Sequence, residues 1–125
     1  MYKGVRSSVG TRVKMVFCGK WELDKGQVMI IDFYDKGTED IYNGIDSKDS
    51  RKTLPVKLKR IALRKFYFLD NAVDIDDLRT PPSNRLELLL GDRQGQYSIR
   101  INNRYRICFI WTKQGPTQVE IVDYH

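Results

Sequence analysis

Histidine, cysteine and long apolar runs are scarce in this sequence, and each scarcity closes off a class of function. One histidine, His125, stands among 125 residues. A multi-histidine metal site therefore lacks ligands, and no HExxH signature is present. Two cysteines, Cys18 and Cys108, share no motif. Cys108 falls in an apolar strand-like run where a small buried side chain is expected, and the pair predicts neither a disulfide nor a metal. No stretch nears the roughly 20 apolar residues that span a bilayer. The opening MYKGVRSSVGTRVK has no signal-peptide core, so the expected location is the cytoplasm, away from membranes. GxSxG, P-loop and CxxC motifs are missing as well, and no cofactor is expected.

What is present describes one modest globular domain. Hydrophobic residues form 41% of the chain and charged residues 30%, as in folded proteins. The net charge of +6 is uneven. Residues 1–28 hold six basic and two acidic side chains, whereas residues 29–125 hold sixteen and fourteen. Any affinity for nucleic acid must then come from where the cations sit, because phosphate binding follows local charge density.

Residues 1–28 show no sustained period, and glycines at 4, 10, 19 and 26 interrupt them. They are expected to form a poorly ordered extension, with a natural start at Met29 and the preceding residues upstream sequence. A genuine N-terminal strand near residues 13–17 is the competing expectation. MIIDFY, residues 29–34, is a short strand candidate. Residues 36–43 predict a short helix with Thr38 as N-cap, followed by a loop over residues 44–53. Over residues 54–72, Leu54, Leu58, Ile61, Ala62, Phe68, Leu69 and Ala72 recur at steps of three and four. That spacing predicts a helix whose other face carries Lys57, Arg60 and Arg64. DIDDLR, residues 74–79, predicts one further turn, and Pro81 with Pro82 is expected to end helical structure.

Beyond the prolines the period becomes two, and residues 86–90, 96–101, 104–112 and 118–123 read as strands. In the third, Tyr105, Ile107, Phe109 and Trp111 alternate with Arg104, Arg106, Cys108 and Ile110. One face packs on the helix; the other begins with two arginines. The fold class is therefore α+β, with N-terminal helices covering one face of a small, twisted, mainly antiparallel sheet. Asp123 shares parity with Val119 and Ile121, which look like core. Either the strand bulges before Asp123, or an apolar face has a polar rim.

A basic cluster with a terminal acid/base group remains: Arg93, Arg100, Arg104 and Arg106 on the hairpins, and Asp123, Tyr124 and His125 at the end. These types suit RNA cleavage without a metal. A base takes the 2′-OH proton, a cation stabilises the phosphorane, and an acid protonates the leaving 5′ oxygen. Solvated strand arginines and a mobile C-terminal histidine are the plainer reading of the same residues.

LELLLGDRQGQYSIRINNRYRICFIW followed by VEIVDYH resembles the HigB toxins of bacterial HigB–HigA toxin–antitoxin modules, in the RelE/ParE superfamily. The resemblance runs from about Met29 to His125, the expected toxin domain. It implies two N-terminal helices on a twisted antiparallel sheet. It also implies an mRNA endonuclease of the ribosomal A site, neutralised by a HigA-type helix-turn-helix antitoxin, through which alone the toxin would meet operator DNA. Residue by residue, it places Arg106 at the scissile phosphate and Asp123, Tyr124 and His125 in proton transfer and nucleotide positioning. Arg93 of the GDR run implies an RNA contact or a structural pairing. Family members often carry lysine directly before GDR, where this chain has Leu90, and some carry histidine where it has Glu87. Arg100 or Arg104 is a candidate substitute cation, and Glu87 a candidate base. Lys57, Arg60 and Arg64 then acquire a use against ribosomal RNA. Two other functions fit the same superfamily: a non-nucleolytic toxin acting on a protein such as gyrase, and an attenuated toxin serving antitoxin binding and operon repression.

Overall fold

The computed structural model describes residues 29–124 and, before them, the backbone of β1 (Val13–Val16) and β2 (Lys20–Leu23), which pair antiparallel. The expected extension over residues 1–28, Cys18 and His125 otherwise lie outside the described residues.

Three helices follow. α1 (Lys36–Tyr42) starts where Asp35 accepts a hydrogen bond from the Thr38 N–H at 2.9 Å. Asp35, not Thr38, is thus the N-cap. Thr38 is buried instead, and its Oγ1 accepts from the Ile121 N–H at 3.0 Å. The expected loop over residues 44–53 contains α2 (Lys48–Thr53). KDSRKT has no apolar stripe to announce a helix. Ser47 and Ser50 form a capping box around its first turn, and Ser47 Oγ donates to Asp40 Oδ2 at 2.6 Å. Close approach completes the pair: a Cβ on Gly37 would collide with Thr53 Oγ1 and come within 2.8 Å of the Asp49 carbonyl.

The long predicted helix is shorter than its period. Leu54 and Pro55 are extended, Val56–Leu58 forms a 3-10 turn, and α3 runs over Lys59–Asn71. Its buried side chains are Ala62, Lys65, Phe66 and Leu69, whereas Ile61 is exposed. The inward stripe is therefore rotated from the one expected, with Phe66 forming edge contacts to Phe33 and Tyr42. Lys57, Arg60 and Arg64 are exposed, as the period predicts. Residues 75–79 form a 3-10 turn, and a further one, Pro82–Asn84, follows Pro81. The two prolines thus end α-helix but not helical turns, since Pro82 occupies a first-turn position that needs no N–H.

β3 (Glu87–Leu88), β4 (Tyr97–Arg100), β5 (Tyr105–Thr112) and β6 (Gly115–Asp123) form an antiparallel sheet in that order. Residues 29–34 make no regular strand. They run parallel to β6 through a single bridge, Phe33 to Val119, with Ile31 N–H donating to the Pro116 carbonyl and Tyr34 N–H to the Val119 carbonyl. The irregularity of β5 opposite β6 between Cys108 and Ile110, and the positive φ of 54° at Gln118, keep that edge from pairing evenly.

Ile99, Ile107, Phe109, Val119 and Ile121 from the sheet meet Ile41, Ala62, Phe66 and Leu69 from the helices in one core. The architecture is α+β, helices on one face of an antiparallel sheet. Among the described residues no helix is long and apolar enough to cross a membrane.

Candidate active site

The other face of the sheet carries chemistry. Cross-strand register sets Glu87, Ser98, Cys108 and Glu120 side by side over β3 to β6, and one row along it sets Arg100, Arg106 and Val122. Side chains directly opposite share a face and lie close together. A strand period of two therefore assembles a cluster from residues 33 positions apart in sequence.

Arg106 is the fixed cation of this cluster. Its Nε donates to Ser98 Oγ at 2.8 Å and its Nη2 to the Arg85 carbonyl at 2.7 Å, while its side chain is only 11% exposed. Arg85 presents that carbonyl from a left-handed backbone, φ 46°, directly after the buried Asn84. The guanidinium is thereby held in one orientation, with its remaining donors available to an oxyanion. Glu87 Oε1 approaches Nη2 to 3.9 Å from a half-exposed position.

Arg93 ends the short turn Gly91–Arg93 and donates through Nη1 to Gln96 Oε1 at 3.0 Å and Glu120 Oε1 at 3.1 Å. Burial opposes its charge, but the Glu120 carboxylate outweighs burial and raises the pKa. Of the two roles left open for Arg93, a carboxylate pairing is the one its contacts display. Glu120, Ser98 and the Arg85 carbonyl were not picked out from the sequence. The register of the β5–β6 hairpin, which sets Glu120 opposite Cys108, was the signal that could have found the first.

Of the closing Asp-Tyr-His, the described residues Asp123 and Tyr124 meet different partners. Alternation is unbroken from Val119 to Asp123, which lies opposite Tyr105 at the open end of the sheet and is exposed. The polar rim, not a bulge, explains its parity. There Asp123 receives a bidentate pair from Arg104, Nε and Nη2 each at 2.8 Å. Arg104 and Asp123, each expected to serve RNA or proton transfer, thus hold each other. Tyr124 turns to the Arg106 side. Burial first, and then the neighbouring Cys108 thiol, push its pKa above the ordinary tyrosine value. The phenol stays protonated through the neutral range and can donate a hydrogen bond.

Cys108 is 1% exposed, and burial raises its thiol pKa. It is a packing residue beneath the cluster, as its apolar run predicts. Arg100 donates through Nη2 to Asn103 Oδ1 beside the β4–β5 turn. Leu90 is 79% exposed and adds no charge. Among the described residues no three His, Cys, Asp or Glu side chains gather into a metal-holding set.

The arrangement offers an immobilised cation, a carboxylate within its reach and a neutral phenol on one shallow face. This combination can neutralise a phosphate ester and move protons around it.

Residues 31–125 match the HigB-like toxin family, described as the RelE-like toxin of type II toxin–antitoxin system HigB. The chain is 41% identical over 83 residues to Toxin HigB-1 of Vibrio cholerae serotype O1, covering 66% of this chain and 84% of that protein. An uncharacterized protein of Haemophilus influenzae is 35% identical over 69 residues, covering 55% of this chain and 68% of its own length. The chain therefore belongs to the HigB-like family of RelE-like toxins from type II toxin–antitoxin systems.

Proposed function

We propose that this toxin is a ribosome-dependent mRNA endonuclease that works without a metal in the cytoplasm and is neutralised by a HigA-type antitoxin. The observation that carries the reading is Arg106, a nearly buried guanidinium held by Ser98 and the Arg85 carbonyl on an otherwise open face. A toxin that only bound a protein such as gyrase would have no need of a cation so fixed and so placed.

In this reading the 2′ oxygen bonds to the neighbouring phosphorus, the bond from phosphorus to the 5′ oxygen breaks, and a cyclic phosphate and a 5′ hydroxyl result. Glu87 takes the 2′-OH proton. Arg106 stabilises the charge that builds on the phosphorane, where each well-placed donor is worth about 10²–10³ in rate. Tyr124 donates a hydrogen bond to the phosphate, and His125 protonates the leaving oxygen. Asp123 positions the end of β6 through Arg104. Lys57, Arg60, Arg64 and Arg100 provide sequence-independent phosphate contacts on the ribosome.

The test is primer extension on cellular mRNA after induction of the wild type, of Arg106→Ala and of a chain lacking His125. Cut messages with the wild type alone are expected. Full growth arrest with intact mRNA would overturn the reading. Leu90 supports a second one, an attenuated toxin that chiefly binds its antitoxin, because an exposed apolar side chain occupies a position where family members often carry a cation. Growth unaffected by a protein that still binds the antitoxin would favour it.

A further inference from the structure

A second cationic site lies at the edge of this face. A cavity of about 550 Å³ opens between α3, the turn after Pro81 and the end of β4, lined by Arg64, Lys65, Phe68, Ser83, Arg100 and Asn102. Lys65 is 7% exposed, yet its Nζ donates to a neutral acceptor, Asn84 Oδ1 at 2.7 Å, and lies 5.8 Å from the centroid of the Phe68 ring. Among the described residues no carboxylate lies within 4.0 Å of the charged nitrogens of Arg64, Lys65 or Arg100. Burial, and then the charges of Arg64 and Arg100, lower the Lys65 pKa. Three like charges around one cavity oppose folding, and a buried lysine with no counter-ion is destabilising beside an apolar residue of its size. An arrangement so costly in the isolated chain points to an anion that completes it.

We propose that this cavity is a phosphodiester site, which holds a backbone phosphate of the RNA strand passing to Arg106 and packs the adjoining nucleobase on Phe68. The proposal rests on the RNA-cleaving reading and adds Lys65, Ser83 and Phe68 to it. Two features select RNA over an acidic protein segment. Arg100 is the direct cross-strand partner of Arg106, so the cavity and the candidate active site share a border. Lys57 and Arg60 continue the same basic side of the helix outward, giving a polyanion several contacts where a single carboxylate would use one. The aromatic wall serves a base of any identity.

The experiment is fluorescence anisotropy of the purified full chain with a short 2′-O-methyl oligoribonucleotide, which binds but offers no 2′-OH to attack. Lys65→Met and Arg100→Gln are each expected to weaken binding about tenfold. Each should also flatten the slope of log affinity against log salt by about 0.7, the loss of one phosphate contact. Inorganic phosphate should raise the melting temperature of the wild type and not of Lys65→Met. If Lys65→Met fails to fold, Arg100→Gln, at a half-buried position, carries the binding arm alone. Unchanged oligonucleotide affinity and salt slope would overturn the proposal. So would Lys65-dependent stabilisation by free phosphate with oligonucleotide affinity undiminished in Lys65→Met and Arg100→Gln, which would make the cavity a site for a small anion. Weakened antitoxin binding with oligonucleotide binding intact would assign it to a protein carboxylate instead. Lys65-dependent oligonucleotide binding by a wild type that leaves cellular mRNA whole would refute the nuclease reading while the phosphodiester site stands.

Discussion

Arg106→Lys separates the charge at the candidate site from the geometry that holds it. The guanidinium reaches Ser98 Oγ at 2.8 Å and the Arg85 carbonyl at 2.7 Å through different nitrogens, from a side chain 11% exposed. A lysine carries one nitrogen on a flexible stem and cannot occupy both positions. At least one charge-assisted hydrogen bond is lost, worth about 1.5–3 kcal/mol. For a domain of this size that lowers the melting temperature by roughly 10 °C. The effect on cleavage should be larger, because the outward donors lose their aim at the phosphorane. Misplacing one such donor costs about 10²–10³ in rate. The assay is the initial rate of mRNA cleavage in a translating extract, read by primer extension, beside a thermal melt followed by circular dichroism. Arg106→Lys that melts well above the assay temperature and still cleaves within about threefold of wild type would refute the role assigned to this fork.

Four further outcomes follow from particular contacts. Leu90→Lys restores a cation at a side chain 79% exposed; stability should change by no more than about 0.5 kcal/mol, while cleavage rises by up to about 10², and an unchanged rate would deny this position a part in phosphate binding. Thr38→Val keeps the buried shape but leaves the Ile121 N–H without its Oγ1 acceptor, so denaturant unfolding should show a loss of about 1–3 kcal/mol. Gly37→Ala drives a Cβ into Thr53 Oγ1; a melting temperature equal to wild type would show that α1 and α2 do not pack as described. Tyr124 has its pKa raised in the fold, so its contribution to stability is complete below the ordinary value of 10.0 and declines as pH rises through the folded value. Melts above pH 10 should therefore fall more steeply for wild type than for Tyr124→Phe.

By itself the sequence determined the fold class, the alternation of β5 and the family. These rest on local signals: apolar residues at steps of three and four, a change to period two after the prolines, and a motif order that no single residue carries. The same locality explains what it missed. α2 exists because Ser47 and Ser50 cap it and Gly37 admits it against α1, although six polar residues alone predict a loop. The spacing predicts a stripe that includes Ile61 and Phe68; its members Ala62, Leu69 and Ala72 are buried, but packing against Phe33 and Tyr42 draws Phe66 inward, buries Lys65 and leaves Ile61 exposed.

Only the tertiary structure decided which charges meet. Arg104 and Asp123 are 19 positions apart and pair across the rim of the sheet, and Arg93 and Glu120 are 27 apart and pair across its outer face. Arg106 is instead fixed by Ser98 Oγ and the Arg85 carbonyl, with Glu87 no nearer than 3.9 Å, a distinction from Arg93 and Arg104 that their sequence context does not show. The physical reason is that pairing energies depend on register and burial, and both are properties of neighbouring strands, not of the strand that carries the residue.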